Sequence, residues 1–312
     1  LTARVEKLFE NLATLNVTPN VRPGLEREDP VPLALELARA YGRFRETRSE
    51  SYRRISLMSS GVQPTGSSYR LVAEYYARTR KTDVLALDMG GSTAIAVVAD
   101  SELAVMQIDP QIGLGESAPA LLERLGADAI RAWLPFEIGA TELRNYVMNK
   151  AVRPATLPMN VRDFFIEYAL LRAGLRCLLH SVEERYGDLP SAPGLILLGG
   201  AALAWTGNPS LALLLAADLA QTGGIAQVAT DPSGVIPAIG ALARSHPEAA
   251  TQLLEANTLE HLGSIVRVDG PVKRGASAMR LKITTDDGEV FEHTIQGGDV
   301  WALPLQPEDS LS

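Results

Sequence analysis

Asp88-Met89-Gly90-Gly91-Ser92-Thr93 places a carboxylate, two adjacent glycines and two hydroxyls within six residues. Glycines let backbone N–H groups approach an anion, and a carboxylate can hold a hard cation, so this combination suits a phosphate group and its metal ion. The flanking runs Val84 to Leu87 and Ala94 to Ala99 are apolar and read as an outgoing and a returning strand, which makes the six residues the turn of a hairpin. Gly and Asp also favour ordinary tight turns, so the segment alone leaves a phosphate cradle and a plain core hairpin both open.

Two later segments have the same punctuation. Leu195 to Leu198 is a buried-strand pattern that ends at Gly199-Gly200 and runs into Ala201 and a helical stretch, where the missing Cβ atoms would permit close approach of a ligand or of another backbone. Thr230 to Pro237, TDPSGVIP, joins a short strand to a helix. Neither segment has the spacing of a dinucleotide fingerprint or the lysine of a P-loop. Loops that follow strand ends in an open sheet are, however, where crevice binding is favoured.

The elements that must position these loops are legible as periodicities. Ala104 to Ile108 adds a third strand to the hairpin, and helices are predicted over Ala118 to Leu125, Thr141 to Asn149 and Arg162 to Tyr186. After the Gly194 to Leu198 strand come a helix over Ser210 to Gln221, a strand at Ala226 to Ala229 and a helix over Ile236 to Ser245. This order specifies an α/β fold with a mixed sheet covered by helices. Before it, Leu33 to Phe44 predicts a helix with Leu33, Leu37, Ala40 and Phe44 on one face, and Ser67 to Thr79 another with Tyr69, Val72, Ala73 and Tyr76 inward. After it, Gly263 to Val268, Ser277 to Thr284, Val290 to Ile295 and Val300 to Leu303 predict short strands, with Asp286-Asp287-Gly288 read as a hairpin turn rather than a calcium loop. The expected domains are a helical cap or linker over 1–80, a nucleotide-binding module over 81–255 and a small β-rich domain over 256–312.

Composition narrows the classes of partner. The 312 residues carry a net charge of -8, distributed as +4 on residues 1–80 and -12 on the remainder. Arg39, Arg43, Arg45, Arg48, Arg53 and Arg54 form the densest basic stretch, but the whole chain is acidic and no aromatic stacking pattern accompanies the run, so it reads as a solvated or partner-docking face, not a nucleic-acid site. No run is long and apolar enough for a membrane span. Cys177, the single cysteine, excludes an intrachain disulfide and reads as a packed thiol in a cytoplasmic setting. Four scattered histidines exclude zinc-ligand spacing, leaving oxygen ligands for any metal.

DMGGST, YVMNKAVRPATLP from Tyr146 to Pro158, GLILLGGAALAW and DPSGVIPAIGALA from Asp231 to Ala243 together resemble the glutamate mutase-associated MutL family, an actin-like group unrelated to the mismatch-repair protein of the same name. The resemblance implies a ribonuclease H-like module of the actin/Hsp70 ATPase type with a helical N-terminal segment and a small β-rich C-terminal region. It implies ATP or ADP with Mg2+ as ligand, with Asp88 near the metal or attacking water, Gly90, Gly91, Ser92 and Thr93 around the phosphates, and Gly199, Gly200 and Ala201 bordering adenine and ribose. It further implies a reactivating or assembly chaperone whose clients are subunits of a cobalamin-dependent mutase. Two departures qualify these expectations. The family's turn is closer to DxGGATTD, whereas Ala94 and Ile95 follow Thr93 here, and residues 1–80 contain no first phosphate hairpin. The chain is therefore expected to supply half of a nucleotide site, as a fragment or a short homologue, and to be inactive alone. The alternative expectation is a non-enzymatic scaffold with a degenerate actin-like fold.

Overall fold

The computed structural model describes residues 2–24, 31–58, 62–187, 192–204, 208–220, 223–256, 258–284 and 288–302. Asp286, Asp287, Trp205 and Leu303, which figure in the readings above, lie outside these residues. The chain divides into two compact units, 1–65 and 66–312.

The first unit contains α1 (Thr2–Phe9), α2 (Val31–Arg48) and α3 (Glu50–Met58). The face expected to be buried on α2 is largely open: Leu33, Leu37 and Phe44 are 37%, 60% and 52% exposed. Its periodicity forms a helix that packs against α3, and among the described residues the first unit contains no strand. Arg45 instead covers the rings of Tyr41 and Tyr52, with its guanidinium 5.9 and 5.2 Å from their centroids.

The second unit begins with α4 (Thr65–Arg80), followed by β1 (Val84–Met89), β2 (Ala94–Ala99) and β3 (Ala104–Asp109). Helices α5 (Ala118–Leu125), α6 (Ala127–Arg131), α7 (Ala140–Val152) and α8 (Val161–Tyr186) lead to β4 (Leu195–Gly199). Next come α9 (Ala201–Ala204), α10 (Pro209–Leu219), β5 (Gly224–Thr230), α11 (Ile236–Leu242), α12 (Pro247–Glu255) and β6 (Glu260–Arg267). A separate hairpin, β7 (Ser277–Thr284) and β8 (Val290–Gln296), follows.

The large sheet has the order β3-β2-β1-β4-β5-β6, with β1, β4 and β5 parallel and β2 and β6 antiparallel to their neighbours. Its first five strands have the ribonuclease H-like arrangement of actin/Hsp70-type modules. The run Gly263 to Val268 enters this sheet as most of β6, paired with β5. Residues 300–302 form no strand.

Period-two alternation along β1 divides the core. Leu85, Leu87 and Met89 face α5, α7, α8 and α10, while Val84 and Ala86 face α4, α11 and α12. Tyr69, Val72, Ala73 and Tyr76 of α4 are all buried against the second face, as their spacing predicts. Two glycines set how closely helices approach. A Cβ on Gly174 of α8 would stand 2.5 Å from Met89 Cε, and one on Gly240 of α11 would stand 2.4 Å from Ser68 Cα of α4. Cys177 on α8 is half-buried, and burial pushes its thiol pKa up despite the nearby Arg124.

Candidate functional site

The glycine hairpin lies at the carboxyl end of β1, beside the ends of β4 and β5. Gly90 N–H donates to the Thr93 carbonyl at 2.9 Å and closes the turn. The Gly91 and Ser92 N–H groups make no hydrogen bond among the described residues, which leaves two backbone donors at a glycine-rich turn. The loop's carbonyls are taken by the segment before α5: Leu114 N–H donates to Gly90 O at 3.0 Å and Gly115 N–H to Gly91 O at 2.7 Å. Ser117 Oγ donates to Ser92 O at 2.8 Å.

This supporting segment, Gly113-Leu114-Gly115, was not found by sequence reasoning. A Cβ on Gly113 would meet Gly91 O at 2.4 Å, and one on Gly115 would meet Pro154 Cβ at 2.6 Å. Its sequence signal was the pair of glycines two residues apart just before a helix, GLGES, which carries no periodicity.

Asp88 follows the β1 alternation onto the α4 face. Its Oδ1 accepts a hydrogen bond from the Tyr69 hydroxyl at 2.9 Å. Gly199 is the cross-strand partner of Asp88, and Asp231 N–H extends the β4–β5 pairing by donating to Leu198 O at 3.0 Å. The Asp231 carboxylate, 2% exposed, accepts from Val235 N–H and Ile236 N–H, both at 2.8 Å, at the start of α11. Burial raises the Asp88 pKa above the ordinary carboxylate range, the Tyr69 hydrogen bond draws it part of the way back, and the charge of Asp231 adds to the rise. Tyr69 is held neutral by burial and by the adjacent Asp88 charge. No salt bridge among the described residues involves Asp88 or Asp231.

On the opposite face a cavity of 690 Å3 opens beside the loop. Met89, Gly90 and Gly91 form one wall, Ala202 of α9 another, and the stretch from Pro154 to Val161 with Phe164, Tyr168 and Leu171 the rest. Lys150 and Glu167 also line it. They form an ion pair at 2.7 Å with side chains only 8% and 10% exposed. Tyr146 Oη donates to Glu167 Oε1 at 3.0 Å, and Lys150 Nζ donates to the Thr156 carbonyl. The sequence marked Tyr146 to Pro158 as a recognisable stretch but assigned it no site residue, because Lys150 and Glu167 meet only when α7 packs beside α8.

The residues nominated from the sequence thus separate. Gly90 and Gly91 line the cavity; Asp88, Ser92, Thr93, Gly199 and Gly200 are not among its lining residues. Ala201 opens α9, one residue before Ala202. Gly200 takes φ 104°, and a Cβ there would stand 2.5 Å from Met89 O, so a close backbone crossing accounts for this glycine.

Among the described residues no cluster of three or more His, Cys, Asp or Glu side chains could ligate a metal ion by itself. The donor set nevertheless fits Mg2+, which typically takes one or two carboxylates and draws its remaining ligands from phosphate and water. Asp88 is a half-buried carboxylate with no cationic partner, and its Oδ2 makes no hydrogen bond among the described residues. No described helix is long and apolar enough to cross a membrane.

No curated protein matches the chain. Among solved structures it is similar to component A of the Acidaminococcus fermentans (R)-2-hydroxyglutaryl-CoA dehydratase, with 9% identity over 64% of this chain and 74% of that one and a TM-score of 0.35. It is also similar to the activator of the Clostridium difficile 2-hydroxyisocaproyl-CoA dehydratase, a structure with bound ADPNP, with 13% identity over 59% and 68% and a TM-score of 0.32. An archaeal actin homolog gives 12% identity over 60% and 56%, with a TM-score of 0.33. Residues 1–258 match the family model described as MutL protein. That match takes in the whole glycine hairpin, the cavity and the Asp231 loop, and the chain belongs to the MutL family.

Proposed function

We propose that this chain binds ATP or ADP with Mg2+ as the nucleotide-binding part of an ATP-dependent reactivating or assembly chaperone for a cobalamin-dependent mutase. The observation that carries the nucleotide reading is the position of the glycine turn. It lies between a carboxylate that has no cationic partner among the described residues on one side and a 690 Å3, largely apolar cavity on the other. The phosphates would sit over Gly90, Gly91, Ser92 and Thr93, where the Gly91 and Ser92 N–H groups would donate to them. Mg2+ would be held by Asp88 and would neutralise phosphate charge, which is the main demand of phosphoryl chemistry. Adenine and ribose would enter the cavity past Ala201 and Ala202, with Gly199 and Gly200 keeping the strand end narrow. The mutase client follows from the family resemblance of the four motifs.

Calorimetric titration of the chain with ADP in excess Mg2+ tests the nucleotide reading; saturable binding that weakens when EDTA replaces Mg2+ is the expected result. No heat at millimolar ADP would sink it. The client reading is tested separately by sedimentation of the chain with isolated mutase subunits, with and without ADP. A second reading, a scaffold that keeps the fold without using nucleotide, is favoured by Gly200, whose backbone crossing explains it without a ligand. Asp88→Asn separates the two, because it should abolish Mg2+-dependent binding under the first and leave client association untouched under the second.

A further inference from the structure

We propose that Tyr69 is a positioning residue for Asp88: its hydroxyl occupies Oδ1, fixes the carboxylate at the strand end and leaves Oδ2 for the metal-nucleotide. The inference rests on the nucleotide reading above and assigns a role to a helix that none of the motifs includes.

Three observations converge on it. Tyr69 stands in the first turns of α4, 2% exposed, and its Oη lies 2.9 Å from Asp88 Oδ1. A buried tyrosine hydroxyl needs a partner, and a carboxylate in the last residues of a paired strand is a costly one to choose, since its charge must also be kept from water. The third observation is Gly199. A Cβ there would lie 1.9 Å from Tyr69 Oη, 2.9 Å from Cζ and 3.2 Å from Asp88 Oδ1. A glycine in the strand that pairs with both β1 and β5 forfeits a packed side chain and a restricted backbone. That loss makes room for the hydroxyl, so the hydrogen bond accounts for Gly199 without any ligand approaching it. A phenylalanine at 69 would fill the α4 face equally well and would relax the closest of these clashes.

The geometry also gives the hydroxyl a selective effect. An aspartate with neither oxygen tied rotates freely about its last torsion, and each rotation presents a different oxygen. With Oδ1 accepting from Tyr69, only Oδ2 remains without a partner among the described residues. Ordering the carboxylate in advance spares the complex part of the entropic cost of binding. The benefit applies to the cation, not to the base or the phosphates.

The test is calorimetry of the full chain and of Tyr69→Phe with ADP in Mg2+ and with ADP in EDTA, together with thermal denaturation of both proteins. Tyr69→Phe should weaken Mg2+-dependent ADP binding about tenfold, in keeping with loss of a charge-assisted hydrogen bond. Binding in EDTA should stay the same. In an Asp88→Asn background the substitution should have no further effect on ADP binding, whereas a purely structural tyrosine would lower affinity equally in both backgrounds. Equal affinities for the two proteins in Mg2+, or parallel losses in Mg2+ and EDTA alongside a lowered Tm, would overturn the inference and leave the nucleotide reading standing. If the unsubstituted chain binds no ADP in either condition, the nucleotide reading and this inference both fail.

Discussion

The two faces of the sheet meet at the Met89–Gly91 strand end and treat buried charge in opposite ways. On the α8 face, Glu167 is neutralised by Lys150 at 2.7 Å, and the cavity beside them carries no net charge from the pair. On the α4 face, Asp88 and Asp231 are served by neutral donors, a tyrosine hydroxyl and two backbone amides, with no cation among the described residues. Neutral donors satisfy lone pairs but leave the charges in place. The first arrangement leaves no net charge from the pair for a ligand to meet; the second leaves two carboxylates without a cation among the described residues. A single ligand that is apolar at one end and bound to a divalent metal at the other would use both.

The largest expected effect is on the balanced face. Lys150→Met leaves Glu167 buried without its cation, and breaking such a pair from one side should cost about 3–5 kcal/mol of stability. Adding Glu167→Leu should restore more than half of that loss, since the double replacement leaves no lone charge. Urea midpoints of the two variants check this. If the double variant is no more stable than Lys150→Met, the pair does not act as a neutralised unit and the contrast between the faces collapses.

A smaller loss is expected from Asp231. Asp231→Ala removes the acceptor for two N–H groups at the start of α11 and should cost about 2 kcal/mol, while Asp231→Asn, which keeps one acceptor oxygen, should cost less. The same variants should lower the pKa of Asp88, because they remove a neighbouring negative charge. An Asp88 titration that does not respond to Asp231→Asn would mean that the two carboxylates on this face are not coupled.

How legible these faces were differs element by element. The hairpin was readable because its strands are short, apolar and separated by a polar, glycine-rich turn: β2 coincides with the expected Ala94–Ala99, while β1 runs two residues past the expected Leu87, so that Asp88 and Met89 pair within the strand and the turn is Gly90 to Thr93. Helix α8 was readable from its long periodicity, and Tyr69 was correctly turned inward by spacing. That Tyr69 finds Asp88 was not readable, because nothing in local sequence tells which strand end lies under the first turns of α4. Lys150 and Glu167 are 17 residues apart in the chain, and a cation and an anion at that distance carry no pairing signal. Periodicity also overstated burial on α2, where Leu33, Leu37 and Phe44 stay exposed. Element positions and inward faces were thus local information, whereas the pairing order of the strands and the charge balance that separates the two sides are tertiary.

The smallest expected effect discriminates most finely between the faces, and it concerns Asp88. Its folded-state pKa lies above the ordinary 3.8, so the folded protein holds that proton more tightly than the unfolded chain does. The carboxyl's contribution to stability is therefore fully present below 3.8 and is lost as pH rises through the raised folded value. Asp88→Asn, which cannot ionise, should match the unsubstituted chain in acid and be equally or slightly more stable at neutral pH, although it removes a central carboxylate. Urea midpoints measured across this pH range follow the difference. Saturating Mg2+ and ADP should then reverse the order at neutral pH by stabilising only the chain that keeps Asp88. A variant less stable at neutral pH without ligand would mean that the charge on the α4 face is already compensated within the fold, and would remove the reason for a cation to bind there.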